Sequence, residues 1–189
     1  MDIQLVAEGL EFPEGPIALD DGSVLLVEIA RGTLTRVTPD GRVQVVAQLG
    51  GGPNGAAIGP DGAVYVCNNG GFAWTLADGC HRPTGQAADY SGGRIERLDL
   101  ATGRAERLYE AVDGIALRGP NDLVFDAHGG FYFSDLGKVR AHEMDRGGLF
   151  YARPDGSAVH AVARPVMTPN GVGLSPDGAT LYVAETEGA

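Results

Sequence analysis

Four times along this chain, a proline is followed by a single carboxylate or carboxamide, and this recurrence limits the possible folds more than any other feature. The copies read Phe12-Pro13-Glu14-Gly15-Pro16, Gly52-Pro53-Asn54-Gly55, Gly119-Pro120-Asn121-Asp122 and Thr168-Pro169-Asn170-Gly171. Each opens the same series: a short apolar run, a Gly-containing turn, then a β-branched or aromatic run. In the first copy these are Ile17-Ala18-Leu19, Asp20-Asp21-Gly22 and Ser23-Val24-Leu25-Leu26-Val27-Glu28. Two further strand-like runs complete the unit, Thr33–Val37 and Val43–Val46, joined through Pro39-Asp40-Gly41. Helical periodicity is almost absent, so the chain reads as all-β.

Four-stranded units that recur every ~40 to 50 residues predict a β-propeller. The third unit starts late because of an insertion between Asn68 and Gly92, and the fourth stops after two strands. An immunoglobulin-like sandwich would also be all-β, but it leaves the recurrence of a whole unit unexplained. Residues 1–189 are therefore expected to form one partial propeller of about three and a half blades. Such an arc cannot close, and closure is what protects strand edges. Ile3-Gln4-Leu5-Val6 reads as a spare outer strand for a last blade built by the other end of a longer chain. The sequence is accordingly expected to be the N-terminal portion of a longer protein. A product ending at Ala189 would expose Ala179–Ala184 as a bare, aggregation-prone edge.

Composition narrows the partners. Lys and Arg total 14 against 25 Asp and Glu, a formal charge of -11. Neither nucleic acid nor an anionic membrane suits that balance, because both require a basic patch. Cys67 and Cys80 are too few for a disulfide framework and read as free thiols. No signal peptide is visible and no apolar run is long enough for a membrane helix, so a cytoplasmic location is expected. A Gly-x-Ser-x-Gly elbow, a P-loop and a dinucleotide fingerprint are all missing.

Strand alternation sorts the loops. One face collects Asp21-Gly22, Asp40-Gly41, Asp61-Gly62, Asp155-Gly156 and Asp177-Gly178, which is ordinary hairpin chemistry. The other collects Glu14, Asn54, Asn121 and Asn170, the second-strand ends Glu28, Asn68, Asn69, Asp135 and Glu185, the insertion, and residues 138–146. First strands of a propeller surround its axis, so the four residues after the prolines should point at one spot. Oxygen donors without a His or Cys cluster suit a hard divalent cation. Each Pro-Asn-Gly taken alone is also a plain turn signal, but a purely structural turn has no need of Glu14. In the insertion, Trp74 and Tyr90 could wall a ligand while Arg82 and Gln86 bond its hydroxyls; a lid packed on itself is the alternative.

The ordered set Phe12-Pro13-Glu14-Gly15-Pro16, Gly119-Pro120-Asn121-Asp122 and Pro169-Asn170-Gly171 resembles the senescence marker protein / gluconolactonase / luciferin-regenerating enzyme family. Gly129-Gly130-Phe131-Tyr132-Phe133-Ser134-Asp135 and Ser175-Pro176-Asp177-Gly178 carry the likeness further. The resemblance implies a six-bladed propeller with one divalent ion on its axis, Ca²⁺ first, with Zn²⁺, Mn²⁺ or Mg²⁺ as other choices. It implies Glu14, Asn121 and Asn170 as metal ligands and Asn121 as a substrate contact as well. Asn54, Arg118 and Asp135 are further substrate-binding candidates, Arg118 standing one residue before the place where the family carries an Arg. The family's last ligand, an Asp credited as general base, falls beyond residue 189, and the 189-residue chain is expected to have little or no activity. The implied reaction is metal-assisted opening of a lactone, a sugar aldonolactone first. A non-catalytic metal- or ligand-binding propeller and an esterase or phosphoester hydrolase at the same metal are the alternatives.

Overall fold

The computed structural model describes residues 3–187, and every regular element in it is a strand. The first sheet contains β1 (Pro13–Ala18), β2 (Val24–Glu28), β3 (Thr33–Val37) and β4 (Val43–Gln48) in chain order. The second uses β5 (Pro53–Ile58) and β6 (Val64–Asn68), is interrupted by the hairpin β7 (Phe72–Ala77) and β8 (Cys80–Gln86), and resumes with β9 (Arg94–Asp99) and β10 (Arg104–Tyr109). A short ladder of β11 (Ala111–Val112) and β12 (Ile115–Ala116) leads into the third sheet. That sheet comprises β13 (Pro120–Phe125), β14 (Phe131–Asp135), β15 (Gly147–Ala152) and β16 (Val159–Val166). β17 (Pro169–Leu174) and β18 (Leu181–Glu185) form a two-stranded fourth. First strands are neighbours in turn, β1 beside β5, β5 beside β13 and β13 beside β17. The result is an open arc of three four-stranded sheets and part of a fourth.

The repeat is visible in register. Pro13, Pro53, Pro120 and Pro169 lie opposite Glu28, Asn68, Asp135 and Glu185, the last residues of the paired second strands. Immediately afterwards each ladder slips, between Glu14 and Ile17, Pro53 and Gly55, Pro120 and Leu123, and Pro169 and Val172. The proline motifs, placed by the sequence reading in loops that enter the first strands, are instead the first residues of those strands. Proline is tolerated at a strand start, where no ladder hydrogen bond is lost, and a bulge re-aims the residue that follows it.

The core lies between sheets and follows the strand period of two. Along β6, Val64 and Val66 pack with Leu25, Val27 and Leu34 of the first sheet, while Tyr65 and Cys67 pack with Ile95, Phe131, Phe133 and Phe150 toward the third. Full burial of such side chains contributes about 1.5–3 kcal/mol each, which holds adjacent sheets at fixed orientation. On the face opposite the bulges, Asp21, Asp61, Asp155 and Asp177 each accept the backbone N–H two residues on, the hairpin chemistry expected there. Both cysteines are free, Cys67 buried and Cys80 exposed.

Ile3–Val6 pairs with no strand among the described residues, and Ile3 and Leu5 are 93% and 71% exposed. β18 is paired with β17 alone among the described residues, leaving its other edge bare. No helix among the described residues is long and apolar enough to cross a membrane.

Candidate functional site

The four bulged residues converge. Glu14, Asn54, Asn121 and Asn170 all line a cleft of about 490 Å³ and also a smaller cavity of about 170 Å³, so they stand at the boundary between the two. Asn54, a lesser candidate on sequence grounds, lines both cavities with the other three and is buried like Asn121, whereas Asn170 is half-buried and Glu14 exposed. Close approach of the first strands explains the glycines after Glu14 and Asn54. A Cβ on Gly15 would lie 2.6 Å from the Ala56 nitrogen, and one on Gly55 would lie 2.5 Å from the Asn121 carbonyl oxygen. The third copy carries Asp122 instead of Gly, and it ties sheets together: its Oδ2 accepts from Val172 N at 2.9 Å in β17. Ser134 Oγ reaches the Asn170 carbonyl from the same side at 2.5 Å. Asp122 also lines the smaller cavity, and burial pushes its carboxyl up against two backbone donors that pull it down.

The donor chemistry fits a hard cation. Asn54 and Asn121 are buried, and no hydrogen bond engages either carboxamide among the described residues. Asn170 Nδ2 donates to Thr186 Oγ1 at 2.9 Å, which leaves its side-chain oxygen free. One carboxylate and three carboxamide oxygens form an all-oxygen set of the kind Ca²⁺ accepts. No group of three or more His, Cys, Asp or Glu that could hold a metal occurs among the described residues, because three of these four donors are amides.

Two nominated residues have other surroundings. Asp135 is 5% exposed, does not line the cleft, and accepts from Arg118 N (2.7 Å), Gly119 N (2.7 Å) and Gly137 N (2.9 Å). Burial pushes its carboxyl up, while these three backbone donors stabilise the charged form. Arg118 serves Asp135 through its backbone, and its exposed side chain does not line the cleft. The same clamp recurs: Glu28 Oε2 accepts from Glu11 N at 2.7 Å, and Asn68 Oδ1 accepts from Gly52 N at 2.9 Å. Polar residues at the second-strand ends thus fix the segments that lead into the bulges. Asn68 is itself held by Glu96 Oε2 at 2.9 Å, whose other oxygen pairs with buried Arg94 at 2.7 Å.

The insertion is a β-hairpin leaning over the cleft, with Phe72, Pro83, Thr84 and Gly85 on the lining. Tyr90 supports it rather than walling a ligand: its hydroxyl donates to Arg118 O at 2.7 Å and accepts from Gly93 N at 3.0 Å. Trp74 packs on Phe12 and Phe72 with ring centroids 5.1 Å and 5.8 Å away. Gln86 is engaged by Arg140 at 3.3 Å, and Arg82 is exposed and off the lining.

Lys138 is the residue that sequence reasoning passed over. Its Nζ is buried and donates to Asn69 Oδ1 (3.0 Å) and Gly71 O (2.9 Å), 3.9 Å from the Phe72 ring centroid. Desolvation pushes its ammonium down to about 7, with Asp135 pulling the other way. A signal was available: this is the only lysine in a chain with thirteen arginines. Arg stays charged at any ordinary pH, whereas a buried Lys can give up its proton.

Comparison with known proteins agrees with this architecture. Residues 12–189 match the SMP-30/Gluconolactonase/LRE-like region family. A gluconolactonase of Zymomonas mobilis is 27% identical over 99% of this chain and 52% of its own length. The lactonase drp35 of Staphylococcus aureus is 29% identical over 96% of this chain and 48% of its own. A solved gluconolactonase structure from Xanthomonas campestris superposes with a TM-score of 0.73 at 26% identity, over 95% of this chain and 56% of that one. The chain thus spans about half the length of the curated relatives it matches.

Proposed function

Since the chain belongs to the SMP-30/gluconolactonase/LRE-like family, we propose that it supplies the metal-binding half of a lactone hydrolase on a six-bladed propeller. The observation that carries this proposal is the convergence of Glu14, Asn54, Asn121 and Asn170 on one pair of cavities. Glu14, Asn121 and Asn170 would hold the ion, with Asn54 as a fourth oxygen. Ca²⁺ is the first choice for so neutral a set, ahead of Mg²⁺, Mn²⁺ or Zn²⁺. When bound, such an ion supplies Lewis acidity toward a lactone carbonyl and charge to offset a developing oxyanion.

The chain's own residues set the geometry. The clamps at Glu28, Asn68 and Asp135 hold the leading segments, and Asp122 and Ser134 lock Asn170 beside Asn121. The hairpin covers part of the cleft through Phe72, Pro83, Thr84 and Gly85. Glu14 can accept a proton only by ceasing to be a ligand, and both Asp122 oxygens already accept backbone N–H groups. The base for the attacking water is therefore assigned to the later Asp that the family resemblance implies. A sugar aldonolactone is the substrate suggested by the names of the gluconolactonase relatives.

A panel of lactones, carboxylic esters and phosphoesters, assayed on the longer protein of which this chain would supply the N-terminal portion, with and without Ca²⁺, Zn²⁺, Mn²⁺ and Mg²⁺, tests the proposal. Hydrolysis confined to lactones and dependent on the ion is expected, and Glu14→Gln and Asn170→Ala should each abolish the metal dependence. Ion binding with no turnover across the panel would leave only a non-catalytic metal-binding propeller. Wild-type metal dependence in either variant would rule out the site.

A further inference from the structure

Four backbone hydrogen bonds define one position shared by all the units. Ile29 N, Asn69 N, Leu136 N and Thr186 N each donate to the carbonyl of the residue before the motif's proline, Phe12, Gly52, Gly119 and Thr168, at 3.0, 2.7, 2.9 and 3.1 Å. The side chains at that position differ. Ile29 and Leu136 line the cleft with carbon and carry no polar atom to meet a carboxamide. Asn69 Oδ1 is taken by Gly71 N at 2.9 Å and Lys138 Nζ at 3.0 Å. Thr186 lines the cleft, and its Oγ1 accepts at 2.9 Å from Nδ2 of Asn170, the bulged residue of its own unit.

The local structure of the fourth unit holds that hydroxyl in place. In the first three units a side chain at the end of the second strand, Glu28, Asn68 or Asp135, accepts from the segment leading into the motif. In the fourth, Glu185 is exposed and the bond runs the other way: Thr168 Oγ1, on the leading segment, accepts from Glu187 N at 2.8 Å. Through its carbonyl and its hydroxyl, Thr168 thus anchors two consecutive residues of the cleft lining, Thr186 and Glu187. It does so at 2% exposure and at φ 43, a left-handed conformation that is costly for a β-branched residue. Strain kept in this way is common where a segment serves a site.

A carboxamide can turn either its oxygen or its NH₂ group toward a ligand, and the NH₂ end repels a cation. With Nδ2 tied to Thr186, the oxygen of Asn170 is the end left for the cleft, while Ser134 Oγ holds the main-chain carbonyl of the same residue at 2.5 Å. We infer that Thr186 is a positioning residue for the ion: its hydroxyl fixes the Asn170 carboxamide so that this oxygen is oriented before a cation arrives. The inference rests on the metal-site reading and deepens it, because it ranks Asn170 as the carboxamide donor whose direction is set by a side chain. Partners that orient a metal ligand typically matter about 10- to 100-fold in affinity.

Ca²⁺ alone is the probe, titrated by calorimetry into the longer protein of which this chain would supply the N-terminal portion. Thr186→Val keeps the shape of the side chain, removes the acceptor and should weaken Ca²⁺ binding about tenfold. Thr186→Ser restores the hydroxyl and should bind as the wild type does. Thr186 is exposed, so the urea midpoint in Ca²⁺-free buffer should be the same for all three. Should the Val variant be unstable, Thr186→Ala, which also lacks the hydroxyl, takes its place. Wild-type affinity without the hydroxyl, a Ser variant as weak as Val, or weakening seen only with a lowered Ca²⁺-free midpoint overturns the positioning role and leaves the metal site standing. Failure of the wild-type protein to bind Ca²⁺, Mg²⁺, Mn²⁺ or Zn²⁺ removes that site and this inference together.

Discussion

Lys138 offers a measurement that needs no substrate. Its folded pKa is about 7 against an ordinary 10.5, a difference caused by desolvation. The groups facing it are the Asn69 and Gly71 oxygens, the Phe72 and Tyr90 rings, and the charge of Asp135, which favours the ammonium. Between these two pKa values the unfolded chain holds a proton that the folded chain has lost, so stability rises with pH. The contribution is complete above about 10.5 and is lost as pH falls through about 7. A separation of that size corresponds to about 5 kcal/mol in full, of which about 3 kcal/mol falls between pH 6 and pH 9. Because the chain has a single lysine, a ¹³Cε label yields one resonance and its titration reads the group directly. Urea unfolding of wild type should show the rise between pH 6 and pH 9, whereas Lys138→Met should lack it whatever its absolute stability. The difference between the two profiles cancels the contribution of Asp122, which does not act on Lys138. A ¹³Cε midpoint near 10, or parallel stability profiles, would refute the reasoning.

Gly55→Ala should destabilise the protein by about 1–3 kcal/mol in urea titrations. The added Cβ would lie 2.5 Å from the Asn121 carbonyl oxygen and 2.7 Å from the Asp122 Cα, which are backbone atoms with little freedom to move. The same variant should weaken Ca²⁺ binding by calorimetry, since it forces apart the strands carrying Asn54 and Asn121; unchanged affinity would argue against convergence on one ion. Asp135→Ala should cost about 3 kcal/mol by leaving buried N–H groups at Gly119 and Gly137 without an acceptor. Faster amide exchange at those two positions is the accompanying sign, and native protection there would exclude the clamp.

The fold class was legible because a strand pattern is local. Runs such as Val64-Tyr65-Val66-Cys67 and Phe131-Tyr132-Phe133, separated by Asp-Gly turns, specify sheets regardless of what surrounds them. The repeat was legible for the same reason, and it pointed to Glu14, Asn54, Asn121 and Asn170 as topologically equivalent. Only their placement differed: they begin the first strands instead of lying in the loops before them. Asn-Gly is a strong turn signal in isolation, yet at Asn54-Gly55 the glycine is required because a neighbouring strand's backbone comes within reach of where its Cβ would be, a fact that no window of sequence contains.

Side-chain roles were the least legible, since they depend on which acceptors and donors arrive from distant segments. Asp135 and Tyr90 look like binding residues until Arg118, Gly119, Gly137 and Gly93 are seen to take their polar atoms. Lys138 looks like an ordinary surface cation until Asn69, Gly71 and Phe72 enclose it. From sequence alone came the all-β class, the repeated unit and the four oxygens, because each rests on residue type at a fixed local spacing. Tertiary structure alone decided which oxygens remain free, what walls the cleft and where the one lysine is buried, because burial and hydrogen-bond partnership exist only once remote strands have met.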